Sequence, residues 1–430
     1  MATDDLIDEL HAWLEANWDA DLMVEQWWHR LGNSGWAAPT LPANAFGKGL
    51  SRSDSVKVAN KIAAFGALPA PGGLGMLLAA PTIATHGTQE QIDLFVKDIV
   101  TGQRAWCQLF SEPGAGSDLA GLNSKAMQDG DEWIVNGQKV WTSSGQWADL
   151  GMLLARTNPE APKHQGITYF GIEMNQPGVD LRPLREMTGH AMFNEVFLTD
   201  ARVSGASMIG AQNNGWAVAN TTLMFERSGL SAGGGGAQSM AIAGTIAGHL
   251  PKRAGDFVQK PSSTGVSSSG PRAASFKGLA YLAKQNGQIN NATIRQGLAE
   301  LHTLNEIGRF NNERVKAARI SGKEIPGMAN IGKLSMSNIV RLQRDLGLRI
   351  LGPVGMLHGY TDEQRKALEA ATGDATLNGV TEAALYAQAP PIYGGTDQIQ
   401  KNIIGERVLG LAKEPGNDAK VPFSTLPKNG

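Results

Sequence analysis

The stretch "DGDEWIVNGQKVWTSSG", residues 129–145, marks a change from a helical to a β pattern along the chain. Its Asn136-Gly137 pair lies between two short runs of residues that favour strands, which predicts a hairpin with a type I′ turn. The segments "GITYFGIEM" and "NEVFLTDARV" also have strand patterns. Residues 106–213 are therefore expected to form a β domain.

Helical patterns occupy the chain before this β segment, so residues 1–105 are predicted to form an N-terminal helical domain. Apolar residues recur at helical spacing near the start of the chain. Further along, Thr88 and Gln91 have the pattern of a capping box, which begins a helix that ends at Gly102.

Helical signals return after the β segment, at residues 213–250 and again beyond residue 290. The Ser/Gly/Pro-rich stretch at 260–275 is expected to be a flexible surface loop. We therefore predict a C-terminal helical domain at 214–412 and a tail at 413–430.

Composition narrows the class of protein. The 430 residues allow two or three domains with a large core, and 42% hydrophobic residues, 18% charged residues and a net charge of −2 are ordinary for a soluble enzyme. The chain has no excess of basic residues of the kind that would suggest nucleic-acid binding.

The single cysteine, Cys107, excludes an internal disulfide, and no Cys/His spacing suggests a metal site. Without a signal peptide or a membrane-length apolar run, a cytoplasmic location is expected.

Two short segments of the β domain could contact a ligand. In "LFSEPGAGSD", residues 109–118, glycines allow the backbone to approach a ligand, while Ser111 and Ser117 add hydroxyl donors. In "VWTSSG", residues 140–145, a tryptophan beside hydroxyls suits a planar heteroaromatic ring. A plain turn explains the first segment equally well, and a core tryptophan with surface hydroxyls explains the second more simply.

Glu226 is an acidic residue on a predicted apolar helix face. The residues of that face step by three or four positions: Trp216, Ala219, Leu223, Glu226 and Leu230. A buried charge without a partner costs several kcal/mol, so Glu226 is expected to be either paired or functional. Desolvation would raise its pKa and make it a better base. A glutamate at the edge of the face, paired with a distant cation, explains the pattern as well.

The segment "PPIYGGTDQIQ", residues 390–400, has two glycines before a predicted helix start. Thr396 is predicted to be the N-cap, and the buried face of the helix is predicted to contain Ile399, Ile403 and the Val408/Leu409 pair. Gly395 and the N–H groups of the first turn would present donors to a ligand. Alternatively, the glycines serve only the backbone geometry of the helix entry.

Four motifs in order make the chain, from about Trp36 to Leu411, resemble the acyl-CoA dehydrogenase family. They are "SEPGAGSDLAG", "DEWIVNGQKVWTSSG", "GVDLRPLREMTGHAMFNEVFLTDARV" and "YGGTDQIQKNIIGERVLGL". The resemblance implies an α+β fold with an N-terminal helical domain, a central β-barrel-like domain and a C-terminal four-helix bundle. It also implies FAD as the cofactor, bound in the groove between them.

The resemblance further implies roles for individual residues. The implied cofactor contacts are Gln108, Phe110, Ser111, Ser117, Trp141, Thr142, Ser143, Gly395, Thr396 and Gln398. The implied substrate contacts are Ser117, Arg227 and Gly394.

The family reaction is α,β-dehydrogenation of an acyl-CoA thioester to the 2-enoyl-CoA, a step of fatty acid β-oxidation. A carboxylate removes the α proton while hydride passes to flavin N5. Many members carry that glutamate where this chain has Gly394, whereas a subset carries it in a segment resembling "FERSGL", where Glu226 lies. Both the helical face and the resemblance therefore favour Glu226 as the general base.

The resemblance also implies partners: an acyl-CoA substrate, an electron-transfer flavoprotein as acceptor, and assembly into a homo-oligomer (dimer or tetramer) or a heterotetramer. Two alternatives are a catalytically silent or structural subunit of a heteromeric complex and a flavin enzyme of another type, such as an oxidase. Because a base moved away from Gly394 leaves space there, a bulky, branched or cyclic acyl group is a further hypothesis.

Overall fold

The computed structural model describes residues 3–231, 239–258, 273–321, 323–413, 415–416, 418 and 420–427. The chain divides into two compact units. Unit 1 contains residues 1–184, 191–261 and 416–430, and unit 2 contains residues 185–190 and 262–415. The flexible loop predicted at 260–275 lies outside the described residues except for its last three. The domain boundaries drawn from the sequence remain a prediction.

Unit 1 begins with short helices that pack around buried tryptophans. The helices are α1 Thr3–Asn17, α2 Val24–Asn33, α3 Arg52–Phe65, α4 Ala80–His86, α5 Gln89–Gln91 and α6 Lys97–Val100, with π-helical turns at Gly75–Ala79 and Ile92–Val96. Trp27 and Trp28 are fully buried, and their indole N–H groups donate to the carbonyls of Leu68 and Pro69 at 2.7 and 2.9 Å. Both large side chains therefore enter the core without leaving a polar atom unpaired.

The predicted capping box is confirmed. Thr88 Oγ1 accepts from Gln91 N, and Gln91 Oε1 accepts from Thr88 N, so both side chains satisfy free backbone donors at the helix start. The helical region then continues to Val100 and stops before Gly102, as expected.

A single seven-stranded sheet follows the helices. Its strands are β1 Trp106–Leu109, β2 Lys125–Asp129, β3 Glu132–Ser143, β4 Leu150–Arg156, β5 Ile167–Glu173, β6 Val179–Leu184 and β7 Phe193–Ser204. The order is β1-β4-β2-β3-β7-β6, with β5 pairing β4. Most neighbours are antiparallel, whereas β4 pairs parallel to β1 and β2. The strands predicted in "GITYFGIEM" and "NEVFLTDARV" are confirmed as β5 and β7.

The hairpin turn predicted at Asn136-Gly137 is wrong. β3 runs through both residues, and the chain reverses instead near Gly130, where the last pair of β2 and β3 forms. Asn136 Nδ2 donates to Asp200 Oδ1, and Asp200 N donates to Asn136 Oδ1, both at 2.9 Å. A Cβ at position 137 would lie 2.2 Å from Ser124 Oγ. The pair therefore serves contacts with neighbouring segments of the β domain.

Helix α7, Gly215–Ser231, packs on β5 and α4 within unit 1. The helical structure predicted over residues 213–250 is wrong for residues 239–250, which form no regular helix. The Asp149 carboxylate accepts from Ala105 N at 2.7 Å and from Thr245 N at 3.3 Å. These tertiary contacts anchor the segment beside the start of β1 instead.

The tail returns to unit 1 after the whole of unit 2. The ring of Phe423 stacks over the Arg156 guanidinium at 3.7 Å, and Phe423 is buried. Phe423 N donates to Ala161 O at 3.0 Å, and Ser424 N donates to Pro159 O at 2.8 Å. The tail thus covers a buried cation of the β domain.

Unit 2 is a helical body. Its helices are α8 Phe276–Gln285, α9 Ala292–Ile320, α10 Met328–Leu351, α11 Asp362–Thr372, α12 Leu377–Tyr386 and α13 Asp397–Ile403. Helix α10 contacts α8, α9, α12 and α13, so it forms the centre of the unit. The core is aliphatic and includes Leu279, Leu298, Leu301, Leu346, Ile350 and Val380. Within the described parts of both units, no helix has the length and apolar character required to cross a membrane.

Gly102→Ala is expected to lower the thermal unfolding midpoint more than Gly66→Ala. Both glycines have left-handed φ, 68° and 83°, so each variant carries backbone strain of about 1–2 kcal/mol. At Gly102 the new Cβ would lie 2.3 Å from the Trp28 ring, whereas at Gly66 it would have no described atom within 4 Å. Equal midpoints by scanning calorimetry would contradict this account.

Candidate active site

Glu226 lies on the face of α7 that packs into unit 1. Val218, Ala219 and Thr222 on this helix are fully buried, and Thr222 Oγ1 forms a hydrogen bond with Thr82 Oγ1 at 3.0 Å. Glu226 follows Thr222 by four positions, so it continues the same face and is half-buried. Leu223 is only partly buried, and the side chain of Leu230 is outside the described residues. The helix therefore carries a carboxylate toward the protein interior.

The surroundings of Glu226 favour its neutral form. Burial raises the pKa of this glutamate, while the hydrogen bond from Gln108 and the charge of Arg227 oppose that rise only in part. Gln108 lies on β1, and its Nε2 donates to Glu226 Oε2 at 3.4 Å. A carboxylate with a raised pKa and an amide donor to one oxygen has the properties of a general base.

The loop after β1 and the end of β3 lie next to each other. Phe110 is buried, Ser111 is half-buried and Ser117 is exposed. Val140 N donates to Ser111 O at 2.9 Å, which joins the loop to β3. The pairing of β3 with β7 then shifts register between Lys139 and Thr142. The structure therefore brings together the two segments predicted from separate motifs.

Trp141 occupies this β-bulge with a strained backbone. Its φ is 61°, in the left-handed region that a bulky residue rarely adopts, and 60% of the residue is exposed. The prediction of a flat apolar face open to a ligand is consistent with this exposure, and a fully buried core tryptophan is not. The bulge turns the indole out of the sheet while Thr142 turns inward.

The residues at the bulge fit a flavin ring. Thr142 Oγ1 is buried and has no hydrogen-bond partner among the described residues. Beside it, the indole of Trp141 offers a flat aromatic surface, and Ser143 is half-buried. In the preceding loop, a Cβ at Gly116 would meet no described atom within 4 Å. The exposed indole and the half-buried Ser143 suit a planar ring with polar edges, whereas Thr142 is turned inward at the bulge.

In unit 2, the Gly394-Gly395 turn has a backbone that suits glycine. Their φ values are 62° and 82°, both left-handed. Gln400 Nε2 donates to Gly394 O at 2.9 Å and Gly395 O at 3.3 Å, and Asn330 Nδ2 donates to Gln400 Oε1 at 2.6 Å. A glutamate at position 394 would have to adopt a strained φ in this turn. The backbone thus disfavours an acid at this position.

The helix start after this turn is partly as predicted. Thr396 is the N-cap, and its Oγ1 accepts from Ile399 N at 3.2 Å. The predicted buried face is wrong for Val408 and Leu409, which are exposed, because α13 ends at Ile403 and a π-helical turn follows. Ile399 and Ile403 are half-buried, whereas Gln398 is exposed.

The buried residues of α13 are polar instead. Asp397 accepts from Lys333 Nζ at 3.1 Å, Ser337 Oγ at 2.7 Å and Arg341 Nη2 at 2.9 Å, and Gln400 reaches back to the turn. Burial alone would raise the pKa of Asp397, but these three donors hold it below the ordinary value. The helix is therefore fixed by charge pairing and hydrogen bonds.

One buried charge pair was missed by the sequence reasoning. Lys139 is fully buried on β3, and its Nζ donates to Glu112 Oε1 at 2.8 Å and to Phe110 O at 3.1 Å. A signal was present, because Lys139 falls on the same strand face as the buried Trp133 and Val135. The alternation of side chains along the strand therefore directs Lys139 inward, although lysines are rarely buried.

Comparisons with known proteins agree with this architecture. Models of the acyl-CoA dehydrogenase N-terminal, middle and C-terminal domains match residues 2–103, 107–201 and 277–409. The chain is 33% identical over 395 residues to acyl-CoA dehydrogenase IpdE1 of Mycobacterium tuberculosis, a match that covers 90% of this chain and 88% of that protein.

Two further similarities differ in extent. Acyl-CoA dehydrogenase FadE34 of Mycobacterium tuberculosis is 48% identical over 203 residues, which cover 47% of this chain and only 28% of FadE34. The structure of the ChsE4-ChsE5 complex from Mycobacterium tuberculosis superposes with a TM-score of 0.64 at 24% identity, covering 96% of this chain and 98% of that one. This second likeness concerns the fold alone.

The fold and the domain matches define a flavin-dependent oxidoreductase. More specifically, the chain belongs to the acyl-CoA dehydrogenase family, as its sequence motifs led us to expect. Members of this family bind FAD and dehydrogenate acyl-CoA thioesters. The predicted acyl-CoA dehydrogenase fold is confirmed: N-terminal helices are followed by a curled central sheet, where a β-barrel-like domain was expected, and by a C-terminal helical domain, where a helical bundle was expected.

Proposed function

We propose that this chain converts an acyl-CoA to the 2-enoyl-CoA and that Glu226 removes the α proton. The observation that carries the proposal is the half-buried Glu226 carboxylate on the inward face of α7, where burial raises its pKa and Gln108 donates to one oxygen. At position 394, where many family members carry the acid, this chain has a glycine with left-handed φ.

In this mechanism the protein orients groups and moves the proton. Gln108 Nε2 holds Glu226 Oε2, which leaves Oε1 to accept the proton from the α carbon. Desolvation makes the carboxylate a stronger base than a glutamate in water. FAD, when bound, supplies the acceptor for the hydride from the β carbon. The exposed face of Trp141 and the half-buried Ser143 would hold the flavin ring.

The remaining contacts are proposed from the family resemblance. For FAD they are Phe110, Ser111, Ser117, Gly395, Thr396 and Gln398, and for the substrate they are Ser117, Arg227 and Gly394. An electron-transfer flavoprotein is the proposed electron acceptor. Assembly into a homo-oligomer or a heterotetramer and a cytoplasmic location also remain proposals.

Glu226→Gln is expected to retain FAD and to lower the rate of anaerobic flavin bleaching by an acyl-CoA by about a thousandfold or more, because no base remains. Glu195→Gln is the matched control: Glu195 is also half-buried and accepts from an amide, Gln138 Nε2, at 3.0 Å. Unaltered bleaching in Glu226→Gln would refute the assignment.

Two other outcomes would favour the alternative functions. A flavin-free chain that co-purifies with a related protein would favour the silent-subunit alternative, and rapid hydrogen peroxide formation would favour an oxidase.

The bleaching rate is expected to rise with pH as Glu226 ionises, with a midpoint above the ordinary glutamate pKa because burial disfavours the carboxylate. Gln108→Met removes a donor that stabilises the charged form, so the midpoint should move to higher pH. Gln138→Met makes the same chemical change away from Glu226 and should leave the midpoint unchanged. Stopped-flow rates across a pH series test this, and an equal midpoint for Gln108→Met and the unaltered protein would contradict it.

We further propose that the acyl group is bulky, branched or cyclic, because position 394 lacks a side chain. A panel of acyl-CoAs in the bleaching assay is expected to give higher kcat/KM for such groups than for short straight chains. Gly394→Ala should reduce this preference, while Gly373→Ala, which has a similar φ of 70° and open space around it, controls for backbone strain. A strong preference for short straight chains would contradict the proposal.

A further inference from the structure

The Glu112 carboxylate closes the base of the loop that follows β1. Its Oε2 accepts from Asn123 N at 2.6 Å, and its Oε1 accepts from Ser124 N at 2.9 Å. Glu112 also pairs with Ala115 through two backbone hydrogen bonds of 3.0 Å. One side chain therefore joins the two ends of the 112–124 loop, which contains the glycines and Ser117.

Lys139, a residue of β3, links that loop to the strand. Its fully buried ammonium donates to Glu112 Oε1 and to Phe110 O, and the next residue, Val140, donates from its backbone to Ser111 O. Residues 110–112 are thus held at three successive positions. Since the bulge that exposes Trp141 begins directly after Lys139, both segments assigned to the flavin start from this ion pair.

Packing alone does not explain a charge pair at this position. Removing two ions from water is costly, and well-packed apolar residues of similar size often replace a buried pair without loss of stability. Apolar side chains could not, however, supply directed hydrogen bonds to Phe110 O, Asn123 N and Ser124 N. What the pair supplies is therefore a defined position for the loop relative to the bulge.

We propose that Glu112 and Lys139 are positioning residues for the cofactor. They hold residues 111–118, at the start of this loop, and the Trp141 bulge in the arrangement that binds the flavin. This rests on the proposed assignment of those two segments as flavin contacts. It does not depend on Glu226 being the base, because it concerns cofactor binding and not proton removal.

The test compares single and double variants. Lys139→Met and Glu112→Gln each leave an uncompensated buried group, so each should lower the thermal midpoint. The double variant Glu112→Leu/Lys139→Met removes both charges of the pair, so it should recover part of that loss, while Phe110 O, Asn123 N and Ser124 N still lose their side-chain partners. If the pair positions the loop, the double variant should still bind FAD about tenfold or more weakly, because the charge-assisted hydrogen bonds that orient the loop are gone.

FAD affinity is measured by titrating the apoprotein and following the long-wavelength absorption band and fluorescence of the flavin, so no turnover is required. A changed band shape in the double variant at saturating FAD is the second expected result, since Trp141 would be displaced. Glu132→Gln is the control. It removes an exposed carboxylate of β3 that pairs with Arg202, and it should change neither the FAD affinity nor the band shape.

Recovery of both the thermal midpoint and the FAD affinity in the double variant would overturn the proposal and leave the pair a structural role. Failure of the unaltered apoprotein to bind FAD would also overturn it, whereas unaltered bleaching in Glu226→Gln would refute the assigned base and leave this proposal standing. If the double variant does not fold, Glu112→Gln, which keeps the side-chain size, decides the question. Its affinity should fall, and wild-type affinity with an unchanged band would overturn the proposal.

Discussion

The antiparallel pairing of β3 with β7 is the interaction on which the site in unit 1 depends. Both strands have twelve residues, and their ladder shifts register twice, after Val135 and after Lys139. The first shift places the extra residue on β7 and leaves the alternation of faces along β3 unchanged through Lys139. The second turns Trp141 outward and Thr142 inward. Because an extra residue reverses which face the following side chains occupy, the second irregularity decides what the end of β3 presents to a ligand.

Three carboxylates show how different surroundings shift the pKa of an acid in opposite directions. Glu112 and Asp397 lie beside cations and several hydrogen-bond donors, and these hold their pKa values below the ordinary ones despite burial. At Glu226 the balance is reversed, since burial outweighs the Gln108 hydrogen bond and the charge of Arg227, and the pKa is raised. The first two acids are suited to fixing backbone segments, and the third is suited to exchanging a proton.

Sequence patterns predicted the elements that depend on local chemistry. The capping box at Thr88, the N-cap at Thr396 and the strands β5 and β7 follow from short-range hydrogen bonding and periodicity, and they are present. The errors arose where distant contacts decide the outcome. Asn136 bonds to Asp200 across two strands, and Thr245 is held by Asp149. No local rule encodes either pairing.

The candidate site was predicted in the same uneven way. The inward position of Glu226 followed from helical spacing, whereas the motif of Trp141 alone favoured a core tryptophan and its exposure comes from the bulge. The roles of Glu112 and Lys139 were missed because charged residues are usually assigned to the surface, and only the strand phase of Lys139 contradicts that assignment.

The tail that covers Arg156 has a consequence for the order of events during synthesis. Residues 420–427 follow the entire stretch 262–415, so a ribosome must translate unit 2 before Phe423 can reach the guanidinium it stacks on. Until then, the nascent β domain keeps one face of a buried cation uncovered. Completion of the earlier unit is thereby delayed until the later one has been made, which departs from the usual N-to-C sequence of domain folding.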